Sequence, residues 1–314
     1  MIETIQNIPL QHQPVLLKEV CDNLALAKKK VVVDCTLGLG GHALAMLKIM
    51  PVASRLVCFE LDSDNLKIAK KNLKEFALQV TFLHENYATM AEELKKLKLK
   101  GVDAVLLDVG ISSTQVDQPE KGFSFRSDGP LDMRFDKKQD FTAADVVNSY
   151  SEKELIRIFK EYGEEKKARK IAMQIVVSRK RKPFKTTLQL AKFIEKLLPR
   201  SGHIHPATRV FQALRIEVNH ELENIEKALE QAVELLRVKG RIAVISYHSL
   251  EDRIVKRFFR LMSQEYVNEP GKLTTTALTP KLKIVTKKPI VPSAGELSLN
   301  PRSRSAKLRV AEKI

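Results

Sequence analysis

The chain has 314 residues, 44% apolar and 29% charged, so it has enough apolar matter to bury a core and is not disordered by composition. A net charge of +16 draws polyanions, nucleic acid before an acidic membrane surface. Cys21, Cys35 and Cys58 are odd in number and fit no zinc spacing, and no apolar run approaches the ~18 residues of a membrane span. The first twenty residues carry neither a signal-peptide core nor the Arg-rich pattern of a transit peptide, so a cytoplasmic, metal-free chain is expected.

In chain order, four short apolar runs read as buried parallel strands: 31–33, 55–59, 102–107 and 241–246. Ser63 is placed to N-cap a helix that aligns Leu66, Ala69, Leu73 and Phe76. Residues 152–162, 164–179 and 187–198 read as helices, punctuated by Pro183 and Pro199. A further helix over 221–238 carries Leu222, Ile225, Leu229, Val233 and Leu236 on one face, with Gly240 as its stop. The Lys-, Thr- and Pro-rich stretch 268–298 reads as an extended loop. Alternation of strands and helices predicts a doubly wound, mostly parallel α/β sheet. The long gap before residue 241 predicts a helical, basic domain at 118–209, inserted into a sheet domain made of 1–117 and 210–314.

The first strand runs into Asp34-Cys35-Thr36-Leu37-Gly38-Leu39-Gly40-Gly41-His42. Glycines at such a turn let the backbone approach a ligand without Cβ atoms in the way. A dinucleotide fingerprint would continue with glycine at position 43, where Ala43 stands. The second strand ends at Glu60, suited to accept hydrogen bonds from a ribose, with Asp62 better suited to cap the next helix. The third ends at Asp108. Ligands of open α/β sheets bind beyond the carboxyl ends of the strands. Three acids there, with the glycine turn, suit an adenosine-bearing ligand that carries positive charge. S-adenosylmethionine has a sulfonium and an ammonium; the pyrophosphate of NAD would be repelled, which weighs against a nicotinamide oxidoreductase.

Several long motifs extend this pattern. They are His12-Gln13-Pro14-Val15-Leu16-Leu17, the Gly-Gly-His turn, Leu107 to Ser113, and Gly122-Phe123-Ser124-Phe125 with Gly129 to Arg134. His205 to Arg215, Ser246 to Arg253 and Asn300 to Ser305 complete the set. With them the chain resembles, over essentially its whole length, the bacterial 16S ribosomal RNA cytosine-N4 methyltransferase family (RsmH or MraW). The resemblance implies a class I, Rossmann-like S-adenosylmethionine-dependent methyltransferase fold with an inserted helical domain. It implies methyl transfer from S-adenosyl-L-methionine to the exocyclic N4 of a decoding-centre cytosine, with 16S ribosomal RNA in the small ribosomal subunit as partner. It carries cofactor binding to Gly40, Gly41, His42, Glu60, Tyr87, Asp108 and Gln115. Glu60 and Tyr87 depart from the family's commoner Asp and Phe, yet still offer two acceptor oxygens and a ring face.

Cytosine N4 is a poor nucleophile until its amino group is turned and its protons are accepted by neighbouring groups. Two readings stand at Asp108: it binds cofactor only, or it also orients the target amine. Methylation at C5 would need a thiolate on the ring, and no Pro-Cys pair occurs. The Asp/Asn-Pro-Pro-aromatic loop of DNA amino-methyltransferases is replaced by Asp108-Val109-Gly110-Ile111. An assembly factor without catalysis would account for the charge and leave the acids around the turn unexplained. His42 is expected to order the turn or touch cofactor. His248 either touches RNA, the favoured reading, or packs structurally, and Asp132 and Arg134 suit a local ion pair. Arg179 to Lys182, Arg302, Arg304 and Lys307 are candidate phosphate contacts for an RNA whose target base is flipped out.

Overall fold

The computed structural model describes residues 14–198, 205–268 and 275–314. His12 and Gln13 of the first motif, Pro199, and 269–274 of the expected loop lie outside the described residues. The strands are β1 (Val31–Asp34), β2 (Arg55–Phe59), β3 (Val80–Leu83), β4 (Val102–Asp108), β5 (Leu236–Ser246), β6 (Tyr266–Asn268), β7 (Thr275–Ala277), β8 (Leu282–Ile284) and β9 (Lys307–Lys313). Seven of them form one sheet in the order β3-β2-β1-β4-β5-β9-β8, and β6 pairs with β7. Pairing is parallel from β3 through β5; β9 runs antiparallel to both β5 and β8. The leading order 3-2-1-4-5 is that of the doubly wound dinucleotide-binding sheet.

The strands are apolar throughout because both faces are covered. Val32, Leu56, Cys58, Ala104, Leu106, Ala243 and Ile245 point into one core, shared with Leu24, Met46 and Ala69 of the helices Leu17–Leu24, Gly41–Ile49 and Ser63–Asn72. Their neighbours Val33, Val57, Phe59, Val105, Leu107, Ile242 and Val244 point into a second core with Leu94, Leu229 and Phe259 of Met90–Lys96, Glu221–Leu235 and Ser249–Met262. Parallel pairing puts the carboxyl ends of β3, β2, β1, β4 and β5 along one side of the sheet. Asp34 pairs with Cys58 and Leu106, and Asp108 with Ile245.

The structure corrects several local expectations. The helix from Glu221 ends at Leu235, and Leu236 already pairs with Val102. Residues 237–240 bulge out before Arg241 pairs with Ala104. Gly240 therefore does not stop a helix. It allows close backbone approach inside the bulge, where a Cβ would lie 2.7 Å from the Arg237 carbonyl oxygen. Asp62, not Ser63, caps the helix Ser63–Asn72, its carboxylate accepting from the N–H groups of Asp64 and Asn65. The second expected helix of the insert, 164–179, begins only at Ala168, after a turn through Glu164 at φ 48°. The stretch 268–298 is not all loop: it holds β7, the edge strand β8 and the helix Ala294–Leu299.

By its contacts the chain divides into two units, Met1–Gly110 with Leu222–Ile314, and Ile111–Glu221. The second unit is helical and wider than the expected 118–209. Ala143–Ser149, Glu152–Glu161, Ala168–Arg179, Thr187–Leu197 and Thr208–Asn219 build it around Leu155, Phe159, Ile171, Leu190, Phe211 and Leu214. Among the described residues no helix is long and apolar enough to cross a membrane.

Candidate active site

Asp34 ends β1 and is fully buried. One carboxylate oxygen accepts from the Thr36 N–H at 3.1 Å; the other, Oδ2, has no hydrogen-bond partner. Burial pushes the carboxyl up to about 6, against the pull of nearby His42. The chain then turns, with the Leu37 N–H donating to the Phe59 carbonyl at 3.0 Å and the Gly40 N–H to the Leu37 carbonyl at 2.8 Å. Gly40 sits at φ 86°, a conformation open to glycine, and starts the helix Gly41–Ile49. No side chain caps that helix. His42, in its first turn, is 6% exposed, and neither ring nitrogen has a hydrogen-bond partner.

At the end of β2, both Glu60 carboxylate oxygens take backbone donors: Oε2 from Gly38 and Oε1 from Asp62, each at 2.8 Å. The acid thus braces the glycine turn, and each oxygen keeps a second lone pair for a ligand hydroxyl. Burial drives its carboxyl up to about 8. Tyr87 follows β3 in a short turn, Tyr87–Thr89, capped by Asn86, whose Oδ1 accepts from the Ala88 N–H at 2.8 Å. Its half-buried ring packs against the second core.

Asp108 ends β4. Its N–H donates to the Thr36 hydroxyl at 2.6 Å, tying it to the turn after β1. Its Oδ1 accepts from the Tyr247 hydroxyl at 2.9 Å, and its Oδ2 lies 3.4 Å from His42 Nε2. Tyr247 stands just past β5 and was not among the expected site residues. Its N–H donates to Glu251 Oε2 at 2.7 Å, and the His248 N–H donates to the same oxygen at 3.1 Å. Glu251 is fully buried. The only signal for this arrangement in the sequence is the three-residue spacing from His248 to Glu251, that of a capping box.

The structure thus sets Gly40, Gly41, His42, Glu60, Tyr87 and Asp108 at the carboxyl ends of four adjacent strands in one unit. Gln115 belongs to the other unit, where it is buried and closes a capping box with Ser112. The His248 ring caps the helix Ser249–Met262, with Nε2 2.9 Å from Glu251 Oε1, which gives it a structural task. Asp132 and Arg134 do form an ion pair, bidentate, with Nε and Nη2 each 2.8 Å from a carboxylate oxygen. Arg179 is turned inward onto the Val147 carbonyl at 2.7 Å, and Lys307 lies 3.4 Å from Asp252, whereas Lys180, Arg181, Lys182, Arg302 and Arg304 are exposed. The three cysteines are buried, and burial holds their thiols above the ordinary range. Among the described residues no group of His, Cys, Asp and Glu could hold a metal.

This edge of the sheet offers buried acceptors, an uncapped helix start and an aromatic ring to a cationic ligand with an adenosine-like body. The sequence profile described as the MraW methylase family matches residues 9–314. A "Ribosomal RNA small subunit methyltransferase H" of Carboxydothermus hydrogenoformans is 49% identical over 306 residues, covering 96% of this chain and 98% of that protein. Proteins of the same name from Caldicellulosiruptor saccharolyticus and Halothermothrix orenii are 47% and 45% identical, each covering 97% of this chain and 99% of their own length. With a family profile that runs through nearly its whole length and relatives of this identity, the chain belongs to the MraW methylase family.

Proposed function

We propose that this chain transfers a methyl group from S-adenosylmethionine to the exocyclic N4 of a decoding-centre cytosine in 16S ribosomal RNA, acting on the small ribosomal subunit. One observation carries the reading. Buried polar atoms without a hydrogen-bond partner, Asp34 Oδ2 and His42 Nδ1, lie at the carboxyl end of β1 and in the helix that follows it, with His42 Nε2 3.4 Å from Asp108 Oδ2. Such groups are rare in folded proteins and mark places where a ligand completes the hydrogen bonding. The names of the relatives support ribosomal RNA of the small subunit as substrate. The choice of cytosine N4 rests on the motif resemblance.

The cofactor supplies an electrophilic methyl group on a sulfonium. Asp34 would accept from its ammonium and Glu60 from the ribose, while Gln115, of the other unit, is carried to the cofactor by the motif resemblance alone. Tyr87 would cover the base, while Gly40 and Gly41 leave room for close approach and His42 completes the wall. Asp108 would accept a hydrogen bond from the target amine, which stays intact until methyl transfer, turning the nitrogen lone pair out of conjugation and toward the methyl carbon. Water takes the proton that methylation makes acidic. The helical insert, 118–209 within the second unit, holds the RNA by charge, with exposed Lys180, Arg181 and Lys182 as phosphate contacts.

The test is transfer of label from S-adenosylmethionine to small subunits that lack the modification, followed by nucleoside mass spectrometry. N4-methylcytidine is the expected product. Label in another nucleoside would overturn the assignment of atom or base, and failure to bind S-adenosylmethionine in calorimetry would overturn the cofactor.

A further inference from the structure

We propose that Tyr247 is a positioning residue for Asp108, fixing the rotation of its carboxylate so that one chosen oxygen faces the target amine. The inference rests on the reading of Asp108 given above and adds a residue that acts through it.

β4 and β5 are parallel neighbours with Asp108 paired to Ile245, so the first residues past β5 stand beside the Asp108 side chain. Tyr247 meets it there, its hydroxyl donating to Oδ1 at 2.9 Å. A terminal carboxylate rotates in a broad, shallow well, and an unrestrained one would present either oxygen at either angle. The hydrogen bond on Oδ1 removes that freedom and leaves Oδ2 on the His42 side, 3.4 Å from Nε2.

Tyr247 is itself held at three points. Its N–H is clamped by Glu251 Oε2 at 2.7 Å, an acceptor it shares with the His248 N–H. Its ring lies against Gly110, where a Cβ would come within 3.4 Å of Tyr247 Cδ2. Its hydroxyl is on Asp108. Swinging the ring away would strip a donor from the half-buried Asp108 carboxylate, which holds the arm in place. Burial first, and the neighbouring Asp108 charge second, hold the phenol well above its ordinary range, so the hydroxyl keeps its proton and remains a donor. The cap of the following helix is made by His248 and Glu251, and the Tyr247 ring packs against the first core, a contact that Tyr247→Phe retains.

The test is a double-mutant cycle on single-turnover methyl transfer at saturating S-adenosylmethionine and small subunits, using Tyr247→Phe, Asp108→Ala and the pair. Tyr247→Phe keeps the ring and its packing. It is expected to lower kcat about tenfold, with KM for subunits and calorimetric Kd for S-adenosylmethionine within about twofold of the parent. In the Asp108→Ala background the same change is expected to cost less than about twofold, because the partner is gone. A purely structural tyrosine would cost the same in both backgrounds. That result, or a Tyr247→Phe enzyme with full kcat, overturns the role of Tyr247 and leaves the reading of Asp108 standing. Full turnover by Asp108→Ala alone overturns the reading of Asp108, and the role of Tyr247 with it.

Discussion

Both units pair buried polar side chains, but they differ in how many buried polar atoms they leave short of a hydrogen-bond partner among the described residues. In the helical unit Arg215 grips Glu221 with two hydrogen bonds of 2.7 and 2.9 Å, Arg134 grips Asp132, and Arg157 and Tyr150 share Glu217. Ser112, Thr142 and Ser151 close capping boxes. Gln118 Oε1 is the buried exception there among the described residues. In the sheet unit, Asp34 and His42 are buried with atoms unpartnered, and Glu60 is driven toward neutrality. A satisfied buried ion pair fastens a fold together, whereas an unsatisfied one is a cost that a bound ligand can offset. On the proposed reading, the contrast separates residues that fasten the fold from residues that meet a ligand.

The largest effect expected from this contrast lies on the structural side. Arg215→Ala strands the Glu221 carboxylate, which is 5% exposed, and should cost about 3 kcal/mol in urea unfolding of the helical unit. A loss under about 1 kcal/mol would show that the pair is ornamental and would break the comparison. Next comes Asp34→Asn. On the proposed reading it weakens S-adenosylmethionine binding about 30-fold by calorimetry, the scale of one lost charge-assisted hydrogen bond. The ligand-free melting temperature should hold or rise, because a desolvated charge is removed. A fall in melting temperature with unchanged affinity would move Asp34 to the structural class.

Glu60 sharpens the comparison through pH. Its folded carboxyl sits at about 8, above the ordinary 4.5, so the folded chain holds this proton where the unfolded chain has released it. The stabilising contribution is therefore fully present below about pH 4.5, is lost as pH rises toward 8, and is flat above that. Glu60→Gln should remove this component, so that the difference in ligand-free melting temperature between parent and variant varies by several degrees between pH 5 and 8. A constant difference would mean that Glu60 is ionised throughout. The smallest effect is reserved for exposed cations. Arg181→Ala with Lys182→Ala should change stability by less than about 0.5 kcal/mol. The same pair should lower the salt slope of RNA binding by about two.

Much of the sheet was legible from residues alone. Its four central strands announced themselves as apolar runs because both faces are buried, and the run 55–59 coincides with β2. β3 escaped because it is an edge strand, half-buried along its length, with no periodic contrast. β9 escaped because Lys307, Arg309, Glu312 and Lys313 disguise it. Arg309 is nonetheless buried, paired with Asp252 through a 2.7 Å bond from across the sheet. Of the site, the acids at strand ends and the glycine turn could be read locally. Tyr247 could not, because its meaning depends on Asp108, 139 residues away, and on the register of β4 with β5. The structural task of His248 was no more legible locally: it shows only once the carboxylate three positions on is seen to cap with it.

The place of β9 has a consequence for the order of events on the ribosome that makes this chain. It is not an edge strand but lies inside the sheet, between β5 and β8. Residues 307–313 must therefore emerge from the exit tunnel before β5 gains its second neighbour. Until then β5 presents an open row of backbone donors and acceptors, the kind of edge that recruits stray strands. The helical unit, whose residues are contiguous from 111 to 221, can fold well before that moment. Synthesis should therefore pass through a long interval with one finished unit and one unsealed sheet, when the nascent chain depends most on chaperones.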